Sequence, residues 1–134
     1  YAAHFFKMLL DGPVCPVAVE NPVMHGHARK IVGRRPDFTV QPWQFADHDD
    51  SADNVKKRTC FWLRNLPTLK ATGTLDGSTA RDECHKAPPS KDRWKIRSKF
   101  YTGLANAMVS QWTKAIEDNL AELRGNFTDG GVAA

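Results

Sequence analysis

One apolar stripe limits what this chain can become. Leu104, Met108, Trp112, Ala115, Ile116, Leu120 and Leu123 recur at helical spacing, between a Thr102 cap and a Gly125 stop. A helix this one-sided needs a surface to lie on. The candidates are an opening helix and three short apolar runs. Ala2, Phe5, Phe6, Leu9 and Leu10 form the helix, closed by Gly12-Pro13. Val14 to Val19, Phe38 to Phe45 and Arg58 to Leu63 read as strands, with Pro16 tolerable near a strand start or at an edge. Helix on sheet, an α/β fold, is the packing these pieces allow.

Length and composition set the scale. A chain of 134 residues suits one domain, here 1–125, followed by a flexible tail at 126–134. With 41% hydrophobic and 25% charged residues, a modest core is affordable and wholesale disorder is excluded. No apolar run approaches the roughly 20 residues of a membrane helix. The first residues lack the basic start and cleavage site of a secretory signal, so a soluble, cytoplasmic protein is expected. No cap precedes Tyr1, and a helix without a visible beginning reads as part of a longer chain. Cys15, Cys60 and Cys84 form no CxxC pair, and Cys84-His85 has no second pair at finger spacing. They read as reduced thiols, and no metal site is predicted.

The connecting segments differ in character. Residues 25–36 are basic and carry Gly26 and Gly33, which suggests a loop with a short helical turn. Asp47 to Asn54 is an acidic loop. Residues 70–92 are rich in Gly, Thr, Ser, Pro and charge; that is long for a loop and points to a functional or mobile segment.

Lys and Arg total 19 against 15 acids, a mild excess. Its placement is more informative. Residues 81–99 hold seven cations against three acids, so this stretch alone carries +4, equal to the net charge of the chain. Arg29, Lys30, Arg34 and Arg35 form a second cluster, and Lys56, Lys57 and Arg58 a third.

Three constellations could carry chemistry. Glu20-Asn21-Pro22 follows a buried strand, the place where open α/β sheets keep their ligands, although a plain turn explains it too. Trp43, Phe45, Phe61 and Trp62 lie near Lys56, Lys57 and Arg58. Aromatics beside cations can stack bases and hold phosphates, yet these four rings read chiefly as hairpin core. Arg93, Lys95, Arg97 and Lys99 alternate with Trp94, Ile96 and Ser98. In an extended segment these cations would share one face and track a phosphate backbone; a solvated basic face is the plainer alternative.

In order, Glu20-Asn21-Pro22, Gln41-Pro42-Trp43-Gln44-Phe45, Lys57-Arg58-Thr59-Cys60-Phe61-Trp62-Leu63, Asp92-Arg93-Trp94, Tyr101-Thr102-Gly103-Leu104-Ala105 and Gln111-Trp112 form a distinctive series. This series resembles the C-terminal part of phage-encoded proteins related to cytosine-C5 DNA methyltransferases. The resemblance implies the C-terminal half of a Rossmann-like methyltransferase domain, acting on DNA in the cytoplasm of a phage-infected bacterial host. It puts Glu20 against the flipped cytosine, with Asn21 and Pro22 shaping the turn and Arg58 near the target nucleotide. Lys56, Lys57, Arg93, Lys95, Arg97 and Lys99 would contact DNA. Gly103 and Asn106 would help complete an S-adenosylmethionine pocket. The family's glycine-containing cofactor loop and Pro-Cys nucleophile are absent from these 134 residues. C5 methylation needs a thiolate to activate the ring, so this chain alone is expected to be inactive. A non-catalytic nucleic-acid binder is the alternative. So is an oligomeric module, a homo-oligomer formed through the surface that missing strands would leave.

Overall fold

The first half of the terminal stripe lies on a sheet, through Leu104, Met108 and Trp112, whereas Leu120 and Leu123 stay exposed at 48 and 55%. A computed structural model of the chain describes residues 1–129. It contains helices α1 (Ala2–Asp11), α2 (Gly26–Val32), α3 (Glu83–Lys86), α4 (Arg93–Ser98) and α5 (Thr102–Asp129), with strands β1 (Val17–Pro22), β2 (Phe38–Val40) and β3 (Thr59–Arg64). The strands form one sheet in the order β1-β3-β2, both pairs antiparallel.

β3 is central, and this explains its unbroken apolar run: Thr59 to Leu63 are buried on both faces. Residues directly opposite across a ladder share a face. Phe61, opposite Glu20 on one side and Phe38 on the other, packs with Val40, Leu63, Leu104, Ala107 and Trp112 beneath α5. Cys60 and Trp62 point the other way, into Phe6 and Leu10 of α1, Met24, and Val32 of α2. The Phe6 and Trp62 rings meet edge-on at 4.9 Å. Helices thus flank both faces of the sheet.

Several expectations change. The run from Phe38 to Phe45 is strand only to Val40; Pro42 then opens a 3-10 turn, Pro42–Phe45. Proline lacks the amide a ladder needs but suits the first position of a turn. The Gln44 side chain closes that turn by accepting from the Gln41 amide at 2.7 Å. Gly125 does not stop α5, which continues to Asp129, so the 126–134 tail is helical as far as it is described; residues 130–134 lie outside the described residues. One glycine costs a helix only about 1 kcal/mol, and no proline follows to end it.

The long segment after β3 is held in place between Gly73 and Arg81. The Gly73 amide donates to the Gln44 carbonyl and Thr74 to that of Ala46. Arg81 and Val55 form a parallel bridge, with the Lys56 amide donating to the Arg81 carbonyl at 2.8 Å. Asn54, fully buried, donates to the Asp49 carbonyl and the Thr79 hydroxyl, both at 3.0 Å.

At the end of the sheet, side chains stand in for a strand. β2 begins at Phe38, so nothing in its ladder reaches Leu63. Pro36 has no amide to offer. The Asp37 carboxylate instead accepts from the Leu63 amide at 2.7 Å, while Arg34 donates to the Leu63 carbonyl and pairs with Asp37.

Candidate nucleic-acid interface

Glu20, Asn21 and Pro22 belong to β1 itself, opposite Phe61, Cys60 and Thr59, so Asn21 and Pro22 are ladder residues and shape no turn. Switch-point logic describes parallel sheets. In this antiparallel sheet Glu20 has to be judged by its surroundings. Ala18, Glu20 and Pro22 share the α5 side of the sheet but remain exposed, because the α5 core lies over β2 and β3.

A cleft of about 190 Å³ opens beside this uncovered strip. Pro22, Val23, Lys57, Arg58, Cys84 and Arg97 line it. Four separate stretches of sequence therefore converge on one concavity: the end of β1, the cations ahead of β3, α3 and α4. Glu20 borders the group electrostatically. Its side chain is exposed by area, yet the surrounding protein removes enough hydration to raise the carboxyl above its ordinary 4.5, and the Lys57 charge opposes that rise.

Tyr101 builds the wall behind Lys57. Its ring is buried, with the Lys57 and Lys99 ammonium groups 5.8 and 5.3 Å from the ring centre. Lys57 also donates to the Lys99 carbonyl at 2.6 Å, which fixes the charge at the cleft. The Tyr101 hydroxyl lies 3.9 Å from the Cys84 sulfur. Burial, followed by the charges of Cys84 and Glu83, pushes the phenol far above its ordinary 10.0, so it stays neutral. Sequence reading quoted Tyr101 only within a motif run, gave it no site role, and set Cys84 aside; only the fold brings them together.

Residues 93–99 do not form an extended track. Arg93–Ser98 is helical, so alternate residues no longer share a face. Arg93 and Arg97 stand one turn apart on the same side. Lys95 projects elsewhere and pairs with Asp92 at 2.7 Å, and Lys99 turns back to Tyr101. A lone six-residue segment closes its own hydrogen bonds as a helix, whereas as a strand it would need a partner. Lys56 is exposed and lines none of the concavities described here.

Two further concavities join the cleft through shared arginines. Arg58 also lines one of about 300 Å³ with Thr39, Gln41, Trp43 and Gln44. Arg97 also lines an open one of about 510 Å³ with Ser90, Arg93, Trp94 and Ser98. The basic cluster on and just after α2 surrounds another concavity, which shares no lining residue with the cleft and in which Arg34 is committed to Asp37 and Leu63.

The start of α5 is already occupied by protein groups. The Asp53 carboxylate accepts from the Thr102 amide at 3.1 Å and from the Gly103 amide at 2.7 Å. A side chain on Gly103 would come within 2.4 Å of the Phe45 carbonyl oxygen. Glycine is thus needed for packing there, and Asn106 is exposed beyond it. These two residues do not fit a cradle for S-adenosylmethionine. Among the described residues, no group of three or more His, Cys, Asp or Glu could hold a metal ion, and no helix is long and apolar enough to cross a membrane.

The chain matches no family model, no curated protein and no solved structure. Lys57, Arg58 and Arg97 line the cleft with no carboxylate among its walls, which suits a phosphate-bearing ligand. Arg58 and Arg97 have no ion-pair partner among the described residues. Glu20 at the margin offers an acceptor, or a donor when protonated, to a base edge.

Proposed function

We propose that this chain contacts nucleic acid through the Lys57–Arg58–Arg97 cleft, with Glu20 facing a base. It would do so as the base- and backbone-contacting portion of a Rossmann-like domain of the cytosine-C5 DNA methyltransferase kind. The observation that carries the reading is the convergence of Pro22, Lys57, Arg58 and Arg97 on one concavity from three distant stretches of chain. Fixed phosphate contacts position a nucleic acid, and a carboxyl group at their edge can read it. The Glu20 carboxyl is raised above its ordinary range by burial, and in its protonated form it would donate to cytosine N3. The chain carries no Pro-Cys pair, so its share of the reaction is binding.

Three phosphate contacts give affinity that falls about 20- to 40-fold between 50 and 200 mM salt. Removing Arg58 or Arg97 should each lower the slope of log affinity against log salt by about 1. The measurement is fluorescence anisotropy with labelled oligonucleotides, using Lys70→Ala, outside the cleft, as control. Salt-independent binding, or variants indistinguishable from the control, would defeat the proposal. In the same assay Glu20→Gln removes a negative charge and should bind more tightly at neutral pH. The wild-type difference should close as pH falls through the raised Glu20 pKa.

A second reading has its own observation. Phe5, Met8 and Leu9 of α1 are exposed at 57, 61 and 45%, an apolar face suited to self-association. Sedimentation velocity across a concentration series tests it: a monomer throughout would remove it.

A further inference from the structure

Trp94 is placed unlike the buried tryptophans of this chain. Trp62 and Trp112 are buried at 1 and 8% exposure, whereas Trp94 stands 65% exposed on α4. It lines the open concavity of about 510 Å³ together with Arg93 and Arg97. Arg97 belongs to the neighbouring cleft as well, so the two hollows meet at a shared guanidinium. Lys95, 5.8 Å from the Trp94 ring centre, adds another cation beside the indole, and Phe100, 46% exposed, follows α4.

We infer that this region is a subsite for single-stranded nucleic acid, in which Trp94 stacks an unpaired base while Arg93 and Arg97 hold the flanking phosphates. The inference rests on the nucleic-acid reading above and adds strandedness to it. An indole needs an open π-face to stack on. In a duplex the base faces are covered by their neighbours; in a single strand they are free. Helix α4 contributes as well: Arg93 and Arg97, one turn apart on one side, bracket the residue between them. A backbone running along the pair would carry its bases past the indole.

The stacking chemistry is common to DNA and RNA, so both belong in the test. Affinities of the full chain for oligo-dT, oligo-U and a mixed-sequence duplex of equal length are measured by anisotropy, together with quenching of tryptophan fluorescence. We expect both single strands to bind more tightly than the duplex. Trp94→Ala should lose about tenfold or more on single strands with little change on duplex, and Trp94→Phe should keep most of the affinity, as ring stacking predicts. Because Trp94 is exposed, the fold should survive, and circular dichroism checks that. A preference for oligo-U over oligo-dT, or the reverse, identifies the natural strand and supports the inference either way. Salt-sensitive duplex binding at least as tight as single-strand binding, or no loss in Trp94→Ala, overturns the inference and leaves the cleft proposal standing. No binding to any of the three overturns both.

Discussion

The longest helix of this protein is capped from 49 residues away, and breaking that cap has a calculable cost. Asp53, in the acidic loop, accepts from the first two amides of α5 through separate oxygens, at 3.1 and 2.7 Å. Those amides have no partner within the helix. Replacing Asp53 with Ala orphans both. A capping side chain is worth about 1 kcal/mol, and a carboxylate at a helix N-terminus adds roughly 0.3–1 from the dipole. Two charge-assisted bonds put the total near the upper end, about 2 kcal/mol for Asp53→Ala. Asp53→Asn keeps one neutral acceptor and should lose about half as much. The assay is urea unfolding followed by circular dichroism, with Asp50→Ala as control. Asp50 shares the loop and its charge but makes no described contact with α5, so it should stay within about 0.5 kcal/mol of wild type. For a chain of this size each kcal/mol moves the melting midpoint by roughly 3–6 °C, so all three variants resolve. If Asp53→Ala and Asp50→Ala unfolded together, the loop would act through bulk charge, and the specific cap would be refuted.

Two further outcomes follow from the same geometry. Gly73→Ala would set a Cβ 2.4 and 2.6 Å from the backbone oxygen and nitrogen of Ala46, where neither side can yield by a rotamer change; a loss of about 2 kcal/mol or more is expected in the same unfolding assay. At Asp37 burial alone would raise the carboxyl, but the Leu63 amide and Arg34 outweigh it and hold the group below its ordinary 3.8. A depressed acid contributes stability above its unfolded pKa and loses it as pH falls through the folded one. Wild type should therefore weaken with acid below about pH 4, and Asp37→Asn should flatten that part of a pH–stability profile.

How much of this was legible in the residues depends on the range of the interactions. The start of the α5 stripe, Leu104 to Trp112, and the unbroken run from Thr59 to Leu63 could be read because periodicity and burial are written within one element, whereas Leu120 and Leu123 keep the period but find no surface to cover. In α1 only Phe6 and Leu10 of the five stripe residues named from sequence are buried with α2 and β3, since the helix has one partner face. The partnership of Asp53 with α5 left no local sign, because Thr102 satisfied the local rule for a cap and a distant carboxylate took the role. The alternation from Arg93 to Lys99 carried strand periodicity, yet no neighbouring strand exists to complete it among the described residues. Antiparallel order is likewise a property of how segments meet.

These outcomes bear on why a cleft exists at all. α5 is anchored at its start by Asp53 and through its first three turns by Leu104, Ala107 and Trp112 over β2 and β3. Held there, it leaves the β1 side of the sheet uncovered, and a strand ending in Glu20, Asn21 and Pro22 stays open on that face. The segment from Arg81 to Lys99 fills part of this space and brings Cys84 and Arg97 to its wall, while Lys57 ties back to the Lys99 carbonyl. The cap and the proposed binding surface are therefore coupled mechanically. If Asp53→Ala loosens the start of α5, Tyr101 and Lys99 immediately before it lose their fixed position, and with them the placement of the Lys57 charge. Oligonucleotide affinity should then weaken in Asp53→Ala even though the variant removes a negative charge from a basic protein, a change that by bulk electrostatics alone would strengthen binding. The sign of that single change separates a positioned phosphate site from a generally basic surface.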